Sequence, residues 1–249
     1  MSLRTIIVED EPLSRQYVIN LVKQIPNVDL VAYAVTETEA TDLINSLLPD
    51  LILMDIELHT GSGFEVLRTI NSPGSAIIFT TALDHYAIKI IRLSGVPYLQ
   101  KPIDSMELKE ALRVVQKNYT ENTFVKALAI LKETLNNNNI PVQIAIAGNE
   151  GKSEYITMGE IVRIDAGVMG CVILLHNNRV KNSTYSIKEL ENLLEDFLFI
   201  RVNSTQLINV KEVEKGRGVD TIIKLKNGDL INVSHKKLQQ VEVKLSLVQ

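Results

Sequence analysis

Arg4-Thr5-Ile6-Ile7-Val8-Glu9-Asp10-Glu11-Pro12 sets an unbroken apolar run directly against three carboxylates and a proline. Similar runs recur at Val28–Val35, Leu51–Ile56, Ala76–Thr81 and Pro97–Leu99. Runs without polar alternation suit a parallel sheet buried on both faces. Helical patterns separate them. One begins after Pro12 and places Tyr17, Leu21, Val22 and Ile25 at helical spacing. The next opens with Thr36-Glu37-Thr38-Glu39, a capping box, and continues through Ala40, Leu43, Ile44 and Leu47. Others follow Gly63, Asp84 and Asp104. The spacing therefore predicts five βα units, a doubly wound five-stranded parallel α/β domain over residues 1–118, with functional loops at the carboxyl ends of its strands.

Those ends carry chemistry. Glu9 and Asp10 end the first strand, Asp55 the third and Thr81 the fourth, and Lys101-Pro102 follows the fifth. Converging carboxylates repel by roughly 4 kcal/mol per pair at 4 Å with a dielectric near 20. A hard divalent cation such as Mg²⁺, which takes oxygen ligands, resolves that repulsion and can bridge to a phosphoryl donor. Asp55 is the natural nucleophile, Lys101 a second positive charge and Thr81 a hydroxyl donor. A strand-end polar residue taken alone is a solvated cap. The set taken together, in this order on these strands, is a site.

Composition narrows the class. The chain has 249 residues, 45% hydrophobic and 22% charged, with a formal charge of −4, as expected of a soluble globular protein. Residues 1–118 hold 10 Lys+Arg against 15 Asp+Glu (−5), whereas residues 140–249 hold 14 against 13 (+1). This points to two modules with different partners. No apolar stretch is long enough for a membrane helix, and the N-terminal stretch shows no long apolar region or cleavage site, so export is not expected. The single cysteine, Cys171, permits no internal disulfide and fits a reducing cytoplasm.

Residues 119–139 read as a helical linker with Phe124, Leu128, Leu131 and Leu135 on one face, broken by Asn136–Asn139. That face either packs on its own first domain or forms a dimer seam. After residue 140 short strands dominate: Val142–Ala147, Tyr155–Met158, Val162–Ala166, Cys171–Leu175, Arg179–Thr184, Phe199–Asn203, Val219–Lys226 and Leu230–Val233. Lys226-Asn227-Gly228-Asp229 is a hairpin turn. One convincing helix, capped by Ser186-Ile187-Lys188-Glu189, carries Ile187, Leu190, Leu193, Leu194 and Phe197 on one face. The domain over 140–249 is expected to be mostly antiparallel β.

Val8-Glu9-Asp10-Glu11-Pro12, Leu53-Met54-Asp55-Ile56, Phe79-Thr80-Thr81-Ala82 and Pro97-Tyr98-Leu99-Gln100-Lys101-Pro102 resemble the receiver domains of two-component systems across residues 4–118. The resemblance implies that Asp55 accepts a phosphoryl group from a sensor histidine kinase. It also implies that Glu9, Asp10, Asp55 and the backbone carbonyl of Glu57 hold Mg²⁺. Thr81 and Lys101 would sense the phosphoryl, with Tyr98 changing rotamer alongside Thr81. Asp84–Lys89 and Leu93–Leu99 resemble receivers joined to LytTR-type DNA-binding domains. The surface over 84–103, with Ile88, Ile91, Leu93 and Val96, is then expected to form a homodimer on phosphorylation.

Over residues 140–245 the chain resembles a LytTR domain, through Ile161–Ala166, Ser186–Phe197, Phe199–Thr205, Leu207–Asn209 and Ile231–Ser234. The resemblance implies an elongated β domain that reads double-stranded DNA through loops, with dimers on paired repeats. It places Cys171, Asn203, Ser204 and His235 near base edges, and Arg217, Lys236 and Lys237 on phosphates, with Lys215, Arg179 and Lys181 as further phosphate candidates. Asn209 would serve the fold. The base-facing positions have lost size or charge against the family pattern, and neutral side chains cannot replace a bidentate Arg–guanine contact. An output domain that binds a protein, or DNA only weakly, is therefore the alternative.

Other signals carry nothing. Gly148-Asn149-Glu150-Gly151-Lys152-Ser153 has two residues between its glycines where a phosphate-binding P-loop needs four. His59, His85, His176 and His235 are scattered, without zinc spacing. No hydrolytic triad emerges in the second half. The chain is expected to catalyse nothing beyond its own phosphorylation and slow dephosphorylation.

Overall fold

A computed structural model describes residues 2–71, 74–82, 85–118, 123–148, 153–214 and 221–246. The chain divides into two compact units, Met1–Pro141 and Val142–Gln249.

In the first unit β1 (Leu3–Val8), β2 (Val28–Ala34) and β3 (Leu51–Asp55) are followed by a small ribbon, β4 (Glu57–Leu58) and β5 (Gly61–Ser62). Next come β6 (Ala76–Thr81) and β7 (Tyr98–Gln100). The main sheet has the order β2-β1-β3-β6-β7, every pairing parallel. This is the expected doubly wound α/β domain. The apolar runs alternate between two cores. Ile6, Val8, Ile52, Met54, Ile77 and Phe79 face α2 (Glu37–Leu47), α3 (Gly63–Thr69) and α4 (His85–Ser94). Ile7, Leu51, Leu53, Ala76 and Ile78 face α1 (Pro12–Val22) and α5 (Ser105–Asn118). Burial of both faces explains why no polar period marks these strands.

At the Thr36 end of α2, the Thr36 side chain accepts the Glu39 N–H, and the Glu39 carboxylate accepts the N–H of Val35. Helix α1 ends at Val22 rather than reaching Ile25, and Tyr17 stands half exposed, its hydroxyl donating to the Ile103 carbonyl at 3.0 Å.

Helix α6 (Thr123–Asn136) resolves the linker question. Ala127, Leu131 and Leu135 are buried in the core that contains α3 and α4, and Phe124 in the opposite one. The stretch read as a separate linker is thus a sixth helix of the first unit. Side chains of that unit hold its C-terminal end: Arg68 donates to the Leu135 carbonyl at 2.7 Å, and the Tyr86 hydroxyl to that of Asn139 at 3.3 Å.

The second unit is mostly antiparallel. Ribbon β8 (Gln143–Ala147) and β9 (Ser153–Thr157) precedes a five-stranded sheet ordered β12-β11-β10-β14-β13. Its strands are β10 (Ile161–Gly167), β11 (Gly170–Leu175), β12 (Val180–Ser183), β13 (Phe199–Arg201) and β14 (Gln206–Asn209). A last ribbon joins β15 (Ile222–Lys224) to β16 (Leu230–Asn232) through the expected turn, with Gly228 at φ +93°. Helix α7 (Ile187–Leu194) packs on β10, β13 and β14, and its Ser186/Glu189 capping box is complete. Two elements depart from expectation. Strand β14 pairs where no strand was read, and a second helix, α8 (Leu238–Ser246), ends the described chain with only Val241 buried. Asn209 serves the fold: its amide donates to the Ile161 carbonyl at 2.9 Å, and its oxygen accepts from the Lys211 N–H.

Candidate functional site

Parallel strands bring their carboxyl ends to one edge, and there Glu9, Asp10 and Asp55 each place a carboxylate oxygen within 4.8 Å of the others. Glu9 and Asp55 are almost fully buried. The Lys101 ammonium bridges them, 2.6 Å from Glu9 Oε2 and bonded to Asp55 Oδ2. The Glu57 N–H donates to Asp55 Oδ1 at 3.1 Å. Burial pushes the Asp55 carboxyl up to about 6, more than the bond to Lys101 pulls it down, and the nearby Glu9 charge adds to the rise. Burial also works against the Lys101 charge, but the bonds to Asp55 and Glu9 outweigh it and raise that pKa.

Thr81 is fully buried at the end of β6, and its hydroxyl has no hydrogen-bond partner among the described residues. Tyr98, paired with Phe79 across β6 and β7, is half buried against the same core. All the acidic, hydroxyl and lysine residues expected at the site thus reach one edge of the sheet.

Sequence reasoning missed several supports. The Ser14 hydroxyl donates to Glu9 Oε2 at 2.6 Å, and the Arg15 guanidinium to the carbonyls of Glu9 and Asp10 at 2.9 and 3.0 Å. Both lie on α1 just past Pro12, where only the helical apolar spacing had been read. His59 donates its backbone N–H to Asp10 Oδ2 at 2.6 Å, and its ring Nδ1 meets the same oxygen. Burial would raise the Asp10 carboxyl, but the bonds from His59 hold it below its usual value. Gly63 lies against the Asp55 backbone: a Cβ there would stand 2.1 Å from the Asp55 carbonyl oxygen. A glycine in the segment that follows Asp55 was the available signal.

The surface expected to dimerise needs correction. Ile91, Leu93 and Val96 are buried in the core, and only Ile88 of the four is partly exposed. Helix α4 turns Ile91 and Leu93 inward, Val96 is buried just past its end, and α6 packs on the same helix.

In the second unit the turns at one end of the sheet gather the residues expected to face DNA. Asp165 pairs with Gln206, and the Ala166 N–H donates to the Thr205 carbonyl at 2.7 Å, so the β10–β11 and β13–β14 turns lie side by side. The Ser234 N–H donates to the Val202 carbonyl at 2.9 Å, which brings His235 and Lys236 to the same end. Both are exposed, as is Ser204. Lys237 stands 3.7 Å from Glu191 and donates to Gln240.

Cys171 does not belong to this surface. Its side chain is 3% exposed, because alternation along β11 turns Cys171, Ile173 and Leu175 inward, and burial pushes the thiol up to about 11. The continuous apolar run Cys171–Leu175 hid that period in the sequence. The Asn203 amide is spent locally: it donates to Gln206 Oε1 and the Asn232 carbonyl, and its oxygen accepts from the Thr205 N–H. Arg179 and Lys181 are paired with Glu160 and Glu154. Arg217 and Lys215 lie outside the described residues.

A buried pair of carboxylates bridged by a lysine at one sheet edge, and a separate β unit whose turns gather at one end, make this a protein of two modules with two sites. Comparison with known families agrees on both counts. A model of the response regulator receiver domain matches residues 5–113, and one of the LytTr DNA-binding domain matches residues 151–246. The chain belongs to the response regulators that join a receiver domain to a LytTR DNA-binding domain.

Among curated relatives it is 25% identical to the sensory transduction protein LytT of Enterococcus faecalis over 250 residues, covering 98% of this chain and all of that one. It is 26% identical to the transcriptional regulatory protein LytR of Staphylococcus aureus over 257 residues, covering 99% of this chain and all of the relative. A solved response regulator of the LuxR family from an Aurantimonas species covers 47% of this chain and 87% of its own, at 26% identity and a TM-score of 0.43. Among the described residues no helix is long and apolar enough to cross a membrane.

Proposed function

We propose that Asp55 takes a phosphoryl group from a sensor histidine kinase and that the resulting acylphosphate controls DNA binding, and hence transcription, by the second unit. The observation that carries this reading is the Glu9–Asp10–Asp55 cluster, whose two buried members, Glu9 and Asp55, are bridged by Lys101. An Asp55 oxygen forms the new bond to phosphorus as the donor nitrogen leaves. The donor set is entirely oxygen and acidic, which fits Mg²⁺ held by Glu9, Asp10, Asp55 and the Glu57 carbonyl. When bound, the ion supplies positive charge against the transferring group.

Lys101 offers a second cation, and Thr81 a hydroxyl without a partner among the described residues. The added group carries roughly −1.5 to −2 charge, enough to attract both. Thr81 moving inward frees space for Tyr98. Catalysis is confined to self-phosphorylation and slow dephosphorylation, the protein works in the cytoplasm, and the phosphorylated form is a homodimer.

Incubating the chain with a small phosphodonor and Mg²⁺ should add the mass of one phosphoryl group. Asp55→Ala or EDTA should abolish it, and equal labelling of Asp55→Ala would overturn the assignment. Sedimentation with and without a phosphate mimic reads the dimer. The second reading, a protein-binding output, is favoured by the burial of Cys171 and the local commitment of Asn203. Titration of the full chain against random duplexes at low salt decides between the two.

A further inference from the structure

Val168 and Met169 form the tip of the β10–β11 hairpin, between the paired Gly167 and Gly170. They are 103% and 89% exposed, above Leu13 at 80% and every other large hydrophobic among the described residues. Water is a poor surrounding for two adjacent apolar side chains, and turns ordinarily carry polar residues.

The turn's backbone does not call for them. Neither takes a positive φ; that demand falls on Gly170, at φ +133°. A Cβ on Gly170 would lie 2.0 Å from the Ser183 carbonyl oxygen, so β12 fixes the glycine while the two tip positions are free to be polar. Their apolar identity is therefore available for contact.

What they contact follows from position. The tip lies at the end of the sheet that also carries Ser204, His235 and Lys236, beside the β13–β14 turn. A two-stranded ribbon fits the major groove of B-DNA, and apolar side chains there meet the C5 methyl of thymine. Cations on the neighbouring segment suit the phosphates at the groove edge.

We infer that Val168 and Met169 are base-reading residues of this domain, contacting thymine methyl groups in the major groove at the place where Cys171, turned inward, does not. The inference rests on the DNA-binding reading above. It gives that reading a chemical preference: thymine at the base steps under the hairpin tip.

The test uses the full chain and a duplex enriched from a random pool. Replacing thymines one at a time by deoxyuridine removes only the methyl group. Wild type should bind about four-fold more weakly for each contacted methyl lost, the order set by burying one such group. A V168S/M169S variant should bind the thymine duplex more weakly and be indifferent to those same replacements. A V168L/M169L variant should keep the dependence, and unchanged thermal unfolding separates contact from misfolding.

Wild type binding thymine and uracil duplexes equally well would overturn the inference while leaving DNA binding intact. So would a V168S/M169S variant that keeps full methyl dependence. If V168S/M169S instead alters self-association with DNA affinity unchanged, the tip is a protein contact and the inference fails. If wild type binds no duplex even at low salt, the DNA reading itself falls.

Discussion

The carboxylate–lysine cluster of the first unit and the turn-borne end of the second are built on opposite plans. In the first, parallel strands end together, so residues far apart in the chain, Glu9, Asp55 and Lys101, arrive buried and pre-paired. In the second, antiparallel strands fold back on themselves, and each turn delivers its own short group, Val168-Met169 or Ser204-Thr205, into solvent. Burial makes the first site electrostatically strong and intolerant of change. Exposure leaves the second adjustable and weak contact by contact.

The largest expected effect is all or none. Asp55→Ala should lose acylphosphate formation entirely, seen in intact mass, whereas no single replacement at Ser204, His235 or Lys236 should eliminate DNA binding. Loss of all binding from one of these three would break the contrast.

Next in size is the clasp. Lys101→Ala strands two buried carboxylates, and removal of one partner of a buried pair costs about 3–5 kcal/mol. Denaturant unfolding should show that loss, with Mg²⁺ recovering part of it by binding the same oxygens. No recovery would argue against the cation site. Gly170→Ala tests the second unit by a steric route. Its Cβ would meet the Ser183 carbonyl oxygen at a positive φ, a strain of about 1–3 kcal/mol before any clash is relieved. The melting transition of the second unit should fall and that of the first should not.

Protonation separates the regions further. Burial raises the Asp55 carboxyl to about 6, above the ordinary carboxylate range near 4. Between about pH 4 and pH 6 the folded state therefore holds a proton that the unfolded chain has released, and stability from this group is lost as pH rises through that window. Asp55→Asn should be more stable than wild type at pH 7, by at most about 3 kcal/mol, with the gain vanishing below pH 4. A gain equal at both pH values would mean that the charge is not its source. The smallest effect belongs to Lys236→Ala, which should reduce the salt slope of DNA binding by about one unit, alike on all sequences.

The first unit was legible because strands buried on both faces leave long apolar runs that end abruptly in chemistry, as at Val8-Glu9-Asp10. The Ser186/Glu189 capping box and the Asn227-Gly228 turn were legible for a similar reason, since each is a local rule with a local consequence. The role of α6 was not, because a stripe looks the same whether it meets its own domain or a second copy. Cys171 was placed on the wrong side because Cys-Val-Ile-Leu-Leu has no polar residue to report the strand's phase. Asn203 resembled a base reader in type and position, and only coordinates reveal that its amide is already occupied. Arg15 and Ser14 support the site from a neighbouring helix turn, a relation that the apolar spacing of α1 does not encode.

The unpartnered hydroxyl of Thr81 has a consequence for laboratory evolution. A buried hydroxyl without a partner costs roughly 1–3 kcal/mol, and an apolar residue of the same shape removes that cost. Valine is the nearest such shape. A library screened only for heat resistance should therefore enrich Thr81→Val, and the survivors should accept the phosphoryl group at Asp55 yet no longer carry the news of it to Tyr98. Thermal robustness and responsiveness are opposed at this one side chain, so a screen for one should be paired with a readout of the other.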